Sequence, residues 1–175
     1  MMNKWFIALL AVFVLAACSN KEQDVNTKDT EQVIDNGTIG FEIMGDNIEE
    51  VTDIPEDERE AILKAFDEYI ASFNSKDIDR YVNTLAKDPQ GFTIEDDKAE
   101  AELAFEQYDI TKTPSDVTIV KYSENEAQVY SNIVTDLTEN ATGTELSDEG
   151  RQVTVFVKED GQWKVTSIYY IGNQS

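Results

Sequence analysis

The stretch that decides the fold is Lys158-Glu159-Asp160-Gly161-Gln162-Trp163-Lys164-Val165. An Asp-Gly pair between two runs of alternating apolar and polar residues is a strong signal for a tight hairpin turn. The flanking runs, Gln152 to Lys158 and Trp163 to Ile171, therefore predict two adjacent antiparallel strands. Both faces of the second run are partly apolar, which predicts a curved sheet with helices covering one side.

Two further strands are predicted upstream of this hairpin. They run from Val117 to Tyr122 and from Ala127 to Leu137, separated by the turn-like segment Ser123 to Glu126. Between the second and third strands, residues Thr138 to Gly150 predict a loop that is long for a hairpin. This loop is either a recognition loop or a flexible connection.

Helices precede the strands. Pro55 followed by three acidic residues is typical of a helix N-terminus, and apolar residues at helical spacing continue this helix to about Phe73. A second helix begins at Ile78 and ends before Pro89, and a third, short helix spans Lys98 to Gln107. Helices followed by a meander of strands indicate a single α+β domain over residues 55–171, with a tail at 172–175.

Three segments carry a resemblance to a known superfamily. The opening helix Ala61 to Ile70, the break Asn74-Ser75-Lys76-Asp77 and the closing hairpin Lys158 to Val165 resemble the cone-shaped proteins related to nuclear transport factor 2, ketosteroid isomerase and polyketide cyclases. The resemblance implies N-terminal helices packed in a curved antiparallel sheet, the cystatin-like cone fold, with a pocket at the open end. Pocket contents rather than the fold determine function in such families.

The N-terminus has the features of a secretion signal. Lys4 precedes an apolar run from Trp5 to Ala17, which is too short for a stable membrane span. The ending Leu15-Ala16-Ala17-Cys18 resembles the lipobox of bacterial lipoproteins, and this implies cleavage between Ala17 and Cys18 and attachment of diacylglyceryl and acyl chains such as palmitate to Cys18. The alternative is an ordinary secretory signal followed by an incidental cysteine.

Residues 18–54 are predicted to form an acidic tether between the lipid anchor and the domain. Between Ser19 and Ile54 there are ten acidic residues against two lysines. The more apolar residues Val33-Ile34 and Ile39 to Met44 leave open whether part of this tether is ordered. Tether and signal resemble those of lipoproteins from Gram-positive bacteria, which implies a location on the outer leaflet of the plasma membrane.

Charge narrows the range of partners. The net charge is −22, and removal of residues 1–17 takes away one lysine and no acid, which leaves −23. A chain this acidic is not expected to bind nucleic acid or an anionic bilayer surface through its charges. Membrane attachment is therefore expected to come from the lipid on Cys18.

The inventory of catalytic residues is small. The chain contains no histidine and a single cysteine, which excludes a Ser-His-Asp triad, a Cys-His pair and a histidine metal site. The acidic cluster Glu95-Asp96-Asp97 lacks the spacing of a calcium loop and is interpreted as a solvated helix face. No cofactor, metal site or catalytic residue is therefore assigned.

A pocket at the mouth of the cone still has candidate lining residues. An isomerase or cyclase of the superfamily would need a carboxylate base and often a tyrosine that stabilises an enolate. Tyr169 and Tyr170 are adjacent in a strand, so one of the two should be exposed or lie in the cone mouth. The residues predicted for the pocket are Tyr81, Tyr108, Asp109, Tyr130 and Tyr169.

Three functional hypotheses remain from the sequence, and the last of them is an acidic surface protein that only buffers cations. The first is a lipid-anchored, non-catalytic module that binds a protein or another partner at the cell surface. The second is a small-molecule-binding or isomerase-like protein that uses the cone cavity, and it predicts a roomy pocket with a buried carboxylate. The sequence leaves the partner and the oligomeric state open, a dimer included.

Overall fold

The computed structural model describes residues 48–172. Predictions for the signal peptide, Cys18, most of the tether and residues 173–175 lie outside this range. The chain forms three helices followed by four strands: α1 (Glu56–Asn74), α2 (Ile78–Val82), α3 (Ile94–Gln107), β1 (Tyr108–Tyr122), β2 (Glu126–Glu139), β3 (Glu145–Glu159) and β4 (Gln162–Gly172).

The four strands form one antiparallel sheet in the order β1-β2-β3-β4. The register of β1 against β2 shifts between Ser115 and Thr118 and again between Ile119 and Lys121, and that of β3 against β4 shifts at Val155. Such irregularities bend strands and increase their twist. The sheet therefore curves around the helices, and the predicted α+β cone fold is confirmed.

Helix α1 supplies the apolar stripe that the sequence predicts. Pro55 precedes it, and three acidic residues occupy the first turn, where their negative charges interact favourably with the helix dipole. Ile62 and Phe66 are fully buried, while Tyr69 and Ile70 are nearly so. These side chains join residues of β1, β2, β3 and β4 in one hydrophobic core.

The predicted second helix is too long, since α2 ends at Val82. The residues that follow leave the helix and lie along the free edge of β4, where Leu85 forms a parallel bridge with Val165. The N–H of Ala86 donates to Val165 O at 2.8 Å, and the N–H of Val165 donates to Thr84 O at 2.9 Å. Unpaired backbone groups on the edge of a sheet outcompete another helical turn here.

The predicted start of the third helix is also wrong, because α3 begins one turn earlier, at Ile94. Thr93 caps the helix: its hydroxyl oxygen accepts the backbone N–H of Asp96 at 3.1 Å. Threonine followed by acids at the first positions is a helix-start signal that competes with the apolar spacing.

All four strands extend further than predicted, and the long loop at 138–150 is an error. β2 continues to Glu139 and β3 begins at Glu145, so only residues 140–144 connect them. The N–H of Glu139 donates to Thr144 O at 2.9 Å, and Gly143 takes the left-handed φ of 72° that the turn needs. The mainly polar residues from 145 to 149, among which Leu146 is the exception, concealed a strand that pairs in full register with β2.

The predicted hairpin at Asp160-Gly161 is confirmed. Both residues have positive φ, 51° and 78°, as in the mirror-image turns that suit strand twist. Trp163 then enters the core, and its indole N–H donates to Glu58 Oε2 at 3.0 Å. The same carboxylate is paired with Lys158, which connects the closing hairpin to the first turn of α1.

The folded unit begins before Pro55. Ile54 is buried in the core, and the N–H of Val51 donates to Ile119 O at 2.9 Å. Arg59 reaches back from α1 and donates to Val51 O at 2.9 Å. Residues 51–54, which the sequence assigns to the tether, therefore pack with the domain.

Candidate functional site

A cavity of about 490 Å³ lies between α1, α3 and the inner face of the sheet. Its walls are mainly apolar and aromatic, with a few polar side chains among them. The residues that line it are Tyr69, Phe73, Tyr81, Asp97, Glu100, Ala101, Ala104, Lys112, Ile133, Thr135, Leu137, Asp148, Gln152, Ile168 and Tyr170.

Small residues on α3 leave this space open. Ala101 and Ala104 face the cavity one turn apart, where larger side chains would occupy it. The opposite walls carry medium-sized residues, including Ile133 from β2 and Ile168 from β4. The cavity is therefore a consequence of residue size on one helix face.

Aromatic side chains form the wall on the side of α1. The Tyr81 ring packs 5.7 Å from Tyr69 and 5.5 Å from Phe73, measured between centroids. Burial raises the pKa of both tyrosines far above the ordinary value, and the nearby charge of Asp97 adds to this effect. Both hydroxyls are consequently neutral over the whole physiological pH range and can donate hydrogen bonds.

Asp97 is the least expected residue of this site. Its Oδ2 atom is buried and has no hydrogen-bond partner in the part of the chain that the structure describes. Burial raises the pKa of Asp97, while the Tyr81 hydroxyl and the charge of Lys112 partly oppose this rise. A buried acceptor without a partner is costly, and such groups are rare in folded proteins.

The interpretation of Glu95-Asp96-Asp97 as a solvated face is therefore wrong for its last member. Because α3 begins at Ile94, Asp97 lies one turn before Ala101 and shares a face with it and Ala104. The i, i+4, i+7 spacing of these three residues is visible in the sequence. To recognise this shared face from the sequence, one must place the start of α3 at Ile94.

Lys112 extends from β1 into the same cavity. Its ammonium nitrogen lies 4.2 Å from the centroid of the Phe73 ring. The Asn74 side chain fixes the Lys112 backbone through two hydrogen bonds of 2.8 Å, one to the N–H and one to the carbonyl. Burial lowers the pKa of Lys112, and the charge of Asp97 opposes this shift.

Tyr170 and Asp148 form the polar part of the cavity wall on β3 and β4. The Tyr170 hydroxyl donates to Asp148 Oδ2 at 2.5 Å, and the ring remains partly exposed. Burial, followed by the carboxylate of Asp148, raises the pKa of Tyr170 to about 12. Tyr170 is thus the member of the Tyr169-Tyr170 pair that contributes to the cavity.

Of the five residues predicted for the pocket, the structure places only Tyr81 in the cavity wall. Asp109 is exposed and pairs with Lys76 at 3.2 Å, and the Tyr108 carbonyl accepts from the same lysine at 2.8 Å. Tyr130 and Tyr169 alternate with cavity residues of β2 and β4, so they lie on the opposite sheet face. The Tyr130 hydroxyl donates to Asn132 there, at 2.8 Å.

Between residues 48 and 172, no three acidic, histidine or cysteine side chains are grouped so that they could hold a metal ion. In that same range, none of the helices has the length and apolar character needed to cross a membrane.

Comparison with known families adds a decisive observation. The family model described as "Anti-sigma-I factor RsgI9, C-terminal domain" matches residues 64–171, which is more than half of the chain. The chain belongs to this family. The matched range runs from α1 to β4, so the RsgI9 C-terminal domain family includes every element that surrounds the cavity.

Solved structures of other proteins have the same fold as this member of the RsgI9 family. A nuclear transport factor 2-like protein from Salmonella enterica serovar Typhimurium superposes with a TM-score of 0.62 at 13% identity, covering 69% of this chain and 94% of that chain. A ketosteroid isomerase-like protein from Erwinia carotovora atroseptica gives 0.56 at 23% identity, covering 69% and 100%.

A conserved protein from Planctomyces limnophilus gives a TM-score of 0.58 at 14% identity, covering 68% of this chain and 100% of that chain. At these identities the similarity establishes the cone fold and leaves the activity open. No curated protein matches the chain.

Proposed function

We propose that this domain is a binding module that holds a small, largely apolar molecule in its cone cavity, and that lipid on Cys18 anchors it to the outer face of a membrane. The observation that carries the proposal is the buried, unpartnered Oδ2 atom of Asp97 in the wall of a cavity of about 490 Å³. A largely apolar cavity with a few converging polar groups is the usual form of a small-ligand site.

Energetics support a ligand rather than an empty space. An unsatisfied buried acceptor costs roughly 1–3 kcal/mol, and a bound donor recovers much of that cost. The charged side chains Asp97 and Lys112 would fix the orientation of the ligand, while the aromatic wall buries its apolar part. The matching family is named for the C-terminal domain of an anti-sigma factor, and this name supports binding over catalysis.

Binding can be tested with N-phenyl-1-naphthylamine, an uncharged apolar dye that fluoresces more strongly in apolar surroundings. We expect saturable binding with one site per chain, weakened strongly by Ala104→Phe because the ring occupies part of the cavity. Ala99→Phe is the matched control, since Ala99 lies on the exposed side of the same helix. Circular dichroism should show both variants folded.

Equal dye binding by wild type, Ala104→Phe and Ala99→Phe would place the dye outside the cavity and contradict the proposal. If Ala104→Phe loses both dye binding and the folded spectrum, the smaller substitution Ala104→Val is measured in its place. It should reduce affinity in proportion to the space it removes.

The anchor is supported by the lipobox-like Leu15-Ala16-Ala17-Cys18 and by the single cysteine of the chain. Intact mass of the protein from membranes of the native host should equal Cys18 to Ser175 plus a diacylglyceryl group. Cys18→Ala should abolish this species and the membrane association. Unmodified wild-type protein in the medium would contradict the anchor and leave the cavity proposal unaffected.

One observation favours a second candidate, an acid–base enzyme of the isomerase type. Asp97 has a raised pKa and lies beside the neutral Tyr81 hydroxyl, an arrangement suited to moving a proton. In that case Asp97, and not the exposed Asp109, would be the base. Turnover of an apolar ketone that Asp97→Asn abolishes and Asp109→Asn retains would establish this role.

A further inference from the structure

Two charged side chains of opposite sign, Asp97 and Lys112, face the cavity. Within residues 48–172, Asp97 Oδ2 is a buried acceptor that receives no donor, and Lys112 Nζ lies 4.2 Å from the centroid of the Phe73 ring. They influence each other electrostatically, because the charge of Asp97 opposes the lowering of the Lys112 pKa by burial. The structure therefore offers a ligand one acceptor and one donor from the same cavity.

A ligand with a single charge would satisfy one of these groups and oppose the other. A carboxylate could pair with Lys112 but would lie among the negative charges of Asp97, Glu100 and Asp148. An ammonium could pair with Asp97 but would be repelled by Lys112 and would leave it without an acceptor. The first case leaves the buried Asp97 Oδ2 without a donor, and the second places two positive charges near each other, so both are costly.

On the basis of the proposed function, we propose that the natural ligand is an uncharged molecule with an apolar body and a carboxamide-type group, whose N–H donates to Asp97 Oδ2 and whose carbonyl accepts from Lys112 Nζ. A carboxamide carries a donor and an acceptor on neighbouring atoms and has no net charge. It satisfies both groups without introducing a charge into a cavity with more acids than bases.

The remaining walls suit an apolar body of bicyclic size. Phe73 and Tyr81 present aromatic surfaces, and Ala101 and Ala104 leave the space beside them open. The volume of about 490 Å³ falls within the range of small-ligand sites. Apolar burial therefore supplies affinity, and the pair Asp97 and Lys112 supplies selectivity for the head group.

Three naphthalene probes that differ only in their head group test this inference: 2-naphthamide, 2-naphthoate and 2-naphthylmethylamine. Dissociation constants are measured by calorimetry or by ligand-observed NMR at pH 7 on the full-length protein in detergent. We expect 2-naphthamide to bind about tenfold more tightly than either charged probe, the factor that corresponds to one unpaired buried group.

Variants assign this preference to the two residues. Asp97→Ala and Lys112→Met should each weaken 2-naphthamide about tenfold, whereas Asp97→Asn, which retains an acceptor oxygen, should keep most of the affinity. Lys112→Met should also improve binding of 2-naphthylmethylamine because the repelling charge is gone. Glu95→Gln on α3 and Lys121→Met on β1 are exposed controls and should change nothing.

The outcomes separate this inference from the proposed function. If either charged probe bound as tightly as 2-naphthamide, or if Asp97→Ala and Lys112→Met left its affinity unchanged, the ligand class would be wrong while a binding cavity remained. If neither these probes nor N-phenyl-1-naphthylamine bound, both the cavity function and the ligand class would be overturned.

Discussion

The ring of Tyr170 lies directly over the backbone of Gly150, at a distance that only glycine permits. A Cβ atom at position 150 would be 2.5 Å from Tyr170 Cζ and 2.6 Å from its hydroxyl oxygen. Position 150 on β3 thus determines where the Tyr170 ring lies in the cavity wall. The absence of a side chain also allows the hydroxyl to reach Asp148.

Gly150→Ala should displace Tyr170 and destabilise the domain. Overpacking of this kind typically costs about 1–3 kcal/mol, although the nearby Ile171 carbonyl adds a clash that a moving ring cannot relieve. Urea unfolding of the four proteins of a double-mutant cycle with Tyr170→Ala measures the coupling. Strict additivity of the two substitutions would contradict a direct contact between ring and backbone.

Glu58 should contribute to the loss of stability in acid. Hydrogen bonding from Lys158 is the main reason that the pKa of Glu58 is lowered, and the Trp163 indole N–H adds to it. A lowered pKa in the folded state means that this stabilisation is complete above the unfolded pKa of about 4.3 and is lost as the pH falls through the folded value.

The midpoint of thermal unfolding between pH 7 and pH 3 measures this contribution. Glu58→Gln should have a lower midpoint than wild type at neutral pH, and the two curves should converge in acid. Glu60→Gln on the exposed side of α1 is the control. The difference between its unfolding midpoint and that of wild type should be the same at every pH. Parallel curves for wild type and Glu58→Gln would contradict the assignment.

Asp97→Asn should stabilise the domain at neutral pH while leaving the fold unchanged. Burial raises the folded-state pKa of Asp97, so the cost of its charge develops as the pH rises from the unfolded pKa of about 3.9 to the folded value, and it is absent in acid. The gain in melting temperature should therefore shrink towards low pH. Glu95→Gln measures the loss of favourable helix-dipole interaction in the same turn, and its effect is subtracted.

Gly161→Ala should weaken the closing hairpin by about 1 kcal/mol, because position 161 has a φ of 78° and residues with a side chain are strained there. Chemical denaturation measures the change in the free energy of unfolding. Gly172→Ala, at the end of β4, requires no positive φ and should be close to neutral. Equal effects at both positions would show that the turn conformation is not responsible.

The sequence by itself determined the fold class and the core of the domain. The helical spacing of Ile62, Phe66, Tyr69 and Ile70 and the Asp-Gly turn at 160–161 each follow from short-range physics, because neighbours along the chain decide helix periodicity and turn conformation. The features that carried the resemblance to the cone-shaped superfamily are of this local kind.

Only the tertiary structure decided which residues meet in the cavity. Asp97, Lys112 and Tyr170 come from α3, β1 and β4, and their convergence depends on the curvature of the sheet and on strand register. A shift of one residue in a strand exchanges the two faces, which is why Tyr170 lies in the cavity wall and Tyr169 does not. The edge pairing of Leu85 with Val165 has the same origin, since a free strand edge exists only after the sheet has formed.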